Sequence, residues 1–352
     1  MSYENVIRIA AGMPWAIMPE KLAEIETMLR VRLAGVPITA DERAKYAATQ
    51  APRMQGGGGV AVLPVYGVMS QRMNMMAESS GGTSTEQLAA ELRQLVLDPQ
   101  VGAIVLDVDS PGGSVYGLDE LASEIRSARS RKPIVAVANS LMASAAYYIS
   151  SAANEVIVTP GGEVGSIGVR AMHVDQSAAE EMAGLKVTQV TAGKYKGEGS
   201  EHFPLTEEAL AHLEADVARY YEMFLSAVAA GRGVTVEAVR NGFGEGRVVG
   251  AREAVRLGMA DKVGTLQDTI ARLQTPAGRG AIMRRAEDAR LLTADNVWGD
   301  WEDRDEQTGA FRAEIVPPEF IQAVEERMHE QELMAVRPDD GGADARLRRA
   351  RI

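Results

Sequence analysis

Three segments of this chain set chemically capable side chains among small, flexible neighbours. The first is Asp109-Ser-Pro-Gly-Gly-Ser114, between an apolar run and an amphipathic one. Two adjacent glycines at such a junction let the backbone turn tightly and leave N–H groups pointing outward. That arrangement suits an anion, either a phosphate or the oxyanion of an acyl transfer. The second is Ser140 to Tyr148 (SLMASAAYY). Ser144 falls at the expected start of a helix, and Ala143, Ala145 and Ala146 leave its hydroxyl accessible. The partial positive charge of a helix N-terminus beside it favours a nucleophile whose product state carries negative charge. The third is Gly193-Lys-Tyr-Lys-Gly-Glu-Gly199. A lysine buried against apolar surface can lose its proton near neutral pH. Moving its pKa from about 10.4 to about 7–8 costs roughly 4 kcal/mol, which burial supplies. Such a lysine is a general base for a serine hydroxyl. Taken singly, each segment has a plainer reading: a βα turn, an N-cap serine, a solvated lysine.

Competing chemistries are thinly represented. The four histidines are His173, His202, His212 and His329. Only His173, at the end of an expected strand, is a candidate for a Ser-His arrangement, and a lone histidine there also reads as structural. No His-carboxylate spacing marks a metal site. The chain has no cysteine, so disulfides, zinc-thiolate sites and cysteine nucleophiles are excluded. No cofactor or metal is expected.

The elements that must position these residues follow from hydrophobic periodicity. Val60 to Val68, Ala103 to Val108, Pro133 to Ala138 and Glu155 to Thr159 read as strands, as do 167–174 and 187–190. Leu88 to Leu97, Tyr116 to Arg129, Ala143 to Ser151, a stretch near Gln176 to Met182, and residues 206–231 read as helices, with shorter ones to about Leu273. Strands alternating with helices predict an α/β fold with a mostly parallel sheet. Ahead of this domain (58–273), residues 1–57 form an appendage: an amphipathic helix from Pro19 to Leu33, then a glycine-rich joint at 55–59. Residues 274–352 change character. They contain no lysine and end in Arg-Leu-Arg-Arg-Ala-Arg-Ile, and read as a largely disordered tail with one helical stretch, Pro318 to Met334.

Composition narrows the class of partner. The chain has 352 residues, 46% of them hydrophobic and 24% charged, which fits a folded protein. Its net charge of −12 argues against a nucleic-acid partner, which would call for a basic domain. The most apolar N-terminal run, Ile9 to Met18, is interrupted by Pro14 and is far short of the roughly 20 residues a membrane span needs. With no basic region ahead of it, it does not read as a signal peptide. The expectation is a cytoplasmic chain without membrane attachment.

Together, LDVDSPGGSVYGLDELASEI, NSLMASAAYYISSAANEV, GSIGV and TAGKYKGEGS resemble the S49 peptidases, serine proteases of the signal-peptide-peptidase-A type. The similarity covers about residues 58–272, including GRVVGAREAVRLGMADKVG. It implies the ClpP/crotonase fold of repeated β-β-α units. It also implies Ser144 as nucleophile, Lys196 as general base and Ser166 as the residue orienting the lysine. The N–H of Gly113, with Gly112 or Ala145, would form the oxyanion hole. The start of the chain, with Met-Pro-Trp-Ala-Ile ahead of a helix, resembles the phage branch, the head-maturation proteases. That implies capsid or scaffold proteins as substrates, the chain itself among them, and a ring-shaped homo-oligomer in which neighbours complete each cleft. Pro276 to Ala281 is a candidate for self-cleavage. Two other readings stand beside this one: a non-catalytic capsid scaffold or chaperone, and an acyl-CoA enzyme on the crotonase fold.

Overall fold

The computed structural model describes residues 14–18, 52–55, 59–72 and 82–284. The expected helix over 19–33 and the tail beyond 284 lie outside these residues. In chain order the strands are β1 (Trp15–Ile17), β2 (Arg53–Gln55), β3 (Val60–Tyr66), β4 (Met69–Ser70), β5 (Thr83–Ser84), β6 (Ala103–Ser110), β7 (Gly112–Ser114), β8 (Ile134–Ala143), β9 (Glu155–Val158), β10 (Glu163–Gly165), β11 (Val248–Gly250) and β12 (Lys262–Val263). The helices are α1 (Thr85–Leu97), α2 (Leu118–Ala128), α3 (Ala145–Ser150), α4 (Ser177–Met182), α5 (Glu207–Arg232), α6 (Val236–Gly242), α7 (Ala251–Arg256) and α8 (Leu266–Leu273).

The main sheet is mostly parallel. β3, β6 and β8 are parallel neighbours at its centre. β8 is long enough to pair twice along its far edge, with β9 over its first half and β10 over its second. Only β2 and β11, at the two edges, run antiparallel. A parallel sheet must be covered on both faces, and the side-chain alternation of β6 shows both covers. Ile104, Leu106 and Val108 join the larger core with α1, α2, α3 and α5. Ala103 and Val105 join a smaller one with Ile270 and Leu273 of α8 and with Ile282.

Capping sets several helix limits. Ser84 accepts the N–H of Gln87, so α1 begins three residues before its apolar stripe. Thr206 caps α5, and Gly233 in the left-handed region ends it.

The structure departs from the expected elements in several places, the short strands β1, β2, β4, β5, β11 and β12 among them. The Gly112–Ser114 segment is a strand of a second, four-stranded sheet ordered β1-β7-β4-β5, because β1 and β4 flank it on both edges. Residues 167–174 and 187–190 form no strands: apart from one bridge at Arg170 they find no partner. Val190 is 90% exposed. β10, too short to show a period, was not anticipated. Finally, helix continues over 276–284, where Ile282 is buried. The folded part therefore passes the boundary at 273, and Pro276 to Ala281 is helical.

Candidate active site

β8 runs straight into α3 with one residue between them, and that residue is Ser144. Reversing direction in a single residue requires an unusual backbone: Ser144 has φ +53° and ψ −117°. Among the described residues, Ser144, Ser166 and Glu245 are the non-glycines with positive φ. Two of these three are positions singled out from sequence. Such conformations cost about 1–3 kcal/mol each and persist only where surrounding structure enforces them. Here the enforcing contacts are visible. The Ser144 N–H donates to Gly165 O at 2.7 Å, and Ser144 O accepts from the Tyr148 N–H at 2.8 Å. The walls are Ala143, Ala145 and Ala146, all fully buried. The Oγ so presented is buried and has no hydrogen-bond partner among the described residues. His173 does not reach it.

The glycine pair lies against this serine. A Cβ built on Gly112 would stand 2.9 Å from Ser144 Cβ and 3.1 Å from Ala143 O, and Gly112 itself has φ +104°. Only glycine fits there. The Gly112 N–H donates to Ser110 Oγ at 3.2 Å, and Ser110 Oγ in turn donates to Gly67 O at 2.6 Å. Of the pair, Gly113 is therefore the one whose N–H is not held by this turn. Ala145 opens α3, where the N–H groups of the first turn have no intrahelical acceptor.

Ser166 and Gly165 form the third wall. The Ser166 N–H donates to Arg247 O at 2.8 Å. A Cβ on Gly165 (φ +124°) would stand 2.6 Å from that same oxygen. Chain arriving from before β11 thus fixes the residue whose carbonyl holds Ser144. No sequence period signals this contact. A glycine followed by a serine ahead of a turn is its one local trace.

Lys196 is not brought to Ser144 within the single chain. It lies on an irregular, largely exposed arm, residues 171–205, whose one helix is α4. It makes no ion pair among the described residues. Its neighbour Lys194 is occupied. Hydrogen bonds to the Tyr195 hydroxyl (2.7 Å) and the Glu208 carboxylate (2.9 Å) hold its ammonium above the usual lysine range. The arm also presents apolar side chains to solvent, with Met182 85% and Leu185 62% exposed.

Comparison with known proteins bears on the same residues. The model of peptidase family S49 matches residues 126–279, a span that holds Ser144, Ser166 and Lys196. A putative protease of Synechocystis sp. is 30% identical over 203 residues, 57% of this chain and 73% of that one. The chain belongs to peptidase family S49. Within the family its similarities include two phage proteins. Capsid assembly protease C of Escherichia phage lambda is 34% identical over 241 residues, 68% of this chain and 52% of that one. Head-tail preconnector protein GP5 of Enterobacteria phage P21 is 33% identical over 217 residues, 62% of this chain and 43% of that one. This S49 chain spans about half the length of these two phage relatives. Among its described residues no helix is long and apolar enough to cross a membrane. No cluster of three or more His, Asp or Glu side chains there could hold a metal ion.

Proposed function

We propose that this chain is a serine endopeptidase that uses Ser144 as nucleophile and Lys196, supplied by a neighbouring copy, as general base. The observation that carries this reading is Ser144 itself: a strained, enforced turn presenting a buried hydroxyl, unpartnered among the described residues, beside the glycine pair Gly112-Gly113. Neutral Lys196 takes the Ser144 proton as Oγ attacks the peptide carbonyl. The N–H groups of Gly113 and Ala145 hold the oxyanion, and Gly112 keeps the space clear of a side chain. Ser166 orients the lysine. The protonated lysine gives its proton to the leaving amine. A water, deprotonated by the same lysine, then releases the acyl group from Ser144. A donor of this kind contributes about 3–4 kcal/mol.

Two features support a lysine arriving from a neighbour: Ser144 Oγ lacks a partner in the single chain, and the arm bearing Lys196 exposes apolar surface that a second copy would cover. Similarity to the phage lambda and P21 proteins supports capsid or scaffold proteins as substrates, in the host cytoplasm during head assembly. A decisive experiment mixes two inactive variants. Ser144→Ala and Lys196→Ala should each lose proteolysis of a fluorogenic casein by at least about a thousandfold. A mixture of the two should recover a measurable fraction. A mixture as inactive as its components would refute shared sites, and full activity in either variant alone would refute the dyad. Intact masses of capsid and scaffold proteins co-expressed with wild type or Ser144→Ala test the substrate class. Truncation specific to wild type is expected, and identical masses would favour a scaffold role.

A further inference from the structure

β1 lies where an extended peptide would have to lie to be cut. β7, which carries Gly113, has two edges. β4 holds one, with Met69 opposite Gly113, and β1 holds the other. A peptide reaching the Gly113 N–H therefore has only β1's edge to use.

The register places one residue at the reacting position. Trp15, Ala16 and Ile17 stand opposite Ser114, Gly113 and Gly112 in antiparallel pairing. The Met18 N–H donates to Pro111 O at 3.1 Å, making Met18 and Pro111 a hydrogen-bonded pair. Antiparallel ladders alternate, so the next such pair is Ala16 with Gly113. The Gly113 N–H is thereby directed at the Ala16 carbonyl. The glycine contacts agree: the Cβ position at Gly112 lies 2.2 Å from Ala16 O and 2.9 Å from Ser144 Cβ. On its other edge Trp15 exchanges both hydrogen bonds with Arg170, at 2.8 and 2.9 Å. β1 is thus clasped between β7 and the segment following Ser166, as added strands are clasped in peptide recognition. Ala16 also borders a cavity of about 270 Å³ whose lining mixes Tyr148, Met223 and Phe224 with the charged Asp119, Glu120 and Arg219, room for a side chain larger than its methyl.

We propose that β1 is a built-in stand-in for a bound peptide. It fills the groove in which an extended substrate runs, with Ala16 at the position of the residue whose carbonyl Ser144 attacks. Substrates enter only when β1 leaves, and those with a side chain larger than alanine's at that position fit best. This rests on the nucleophile assigned to Ser144 above, and the test separates the two.

The chain is free of cysteine, so a reversible lock can be introduced cleanly. Trp15 and Ser114 form a non-hydrogen-bonded pair, whose usual Cα separation of about 4.5 Å suits a disulfide. In the full chain carrying Ser144→Ala with Trp15→Cys and Ser114→Cys, a fluorescein-labelled peptide of residues 11–20 should bind at least tenfold more tightly after reduction than before. A second variant, Ala16→Pro with Ser144→Ala, removes the hydrogen bond of β1 at its centre. It should bind that peptide at least tenfold more tightly than Ser144→Ala alone. Equal binding by the oxidised and reduced forms, or by the proline variant and its parent, would overturn the proposal. Labelling of otherwise wild-type chains by a fluorophosphonate reads the chemistry separately. If peptide binding follows the lock while labelling is indifferent to Ser144→Ala, the groove stands and the nucleophile assignment falls.

Discussion

Gly112→Ala is the sharpest single-atom test of the glycine turn beside Ser144. The new Cβ would stand 2.2 Å from Ala16 O and 2.9 Å from Ser144 Cβ, where ordinary contact begins at 3.4 Å. On the proposal above Ala16 O marks the place of a substrate's carbonyl, so that carbonyl in its turn must retreat by more than about 1 Å, a misplacement that in other active sites costs on the order of 10²-fold in rate. The backbone adds strain, because φ at Gly112 is +104°. A non-glycine residue held there costs about 1–3 kcal/mol. Disturbing the adjacent Gly113 donor would bring the loss toward 10²–10³ in kcat. The expected result is therefore a folded chain, less stable by about 1–3 kcal/mol, whose kcat/KM on casein-derived peptides falls by at least about a hundredfold. Gly161→Ala is the control. It has nothing within 4 Å of its Cβ position and no positive φ, so both quantities should stay near wild type. Thermal melting, read beside kcat/KM, separates loss of fold from loss of chemistry. A folded Gly112→Ala chain with kcat/KM within threefold of wild type would refute the assignment of this turn to the oxyanion.

Two charged groups of the chain carry further expected outcomes. Arg232 and Asp261 form an ion pair at 2.9 Å with both side chains 8% exposed, and Asp261 also accepts the Val156 N–H at 2.7 Å. Arg232→Met removes the buried cation from beside that carboxylate, so unfolding should become easier by about 3–5 kcal/mol; a chemical-denaturation loss under 1 kcal/mol would contradict the pairing. The second outcome concerns pH. An amine base works only when neutral, so kcat/KM should climb as pH rises and then level off. The climb should survive Lys194→Met, since that ammonium is held charged by Tyr195 and Glu208, and a profile flat from about pH 5 to pH 9 would exclude a lysine base.

What was legible in the sequence is what is local. The runs Ala103 to Val108 and Pro133 to Ala138 announce buried parallel strands because both faces are apolar, and both faces are indeed covered. Ser144 was legible as a strand-to-helix junction because alanines surround it. Its positive φ was not, since that depends on Gly165, and Gly165 depends on Arg247. β1 was missed for the same reason. A three-residue strand has no period, and Trp15–Ile17 is a strand because Gly112–Ser114 and Arg170 offer it two edges.

The expected strands at 167–174 and 187–190 fail in an instructive way. Their residues carry strand-like alternation, yet a strand needs a neighbour, and in the single chain almost none is offered. Val190 and Leu185 stay exposed, and so does Lys196 a few residues on. The same arm therefore has apolar side chains without cover, backbone without a sheet and a basic side chain without a partner. On the proposal of a site shared between copies, one surface accounts for all three, whereas an arm built only to be solvated would have no use for the first two. On the proposed mechanism the serine is the mirror case: its own chain supplies every part except the base. The gap at Ser144 and the surplus on the arm are complementary, which is why the mixing of Ser144→Ala with Lys196→Ala, rather than either variant alone, decides how this site is built.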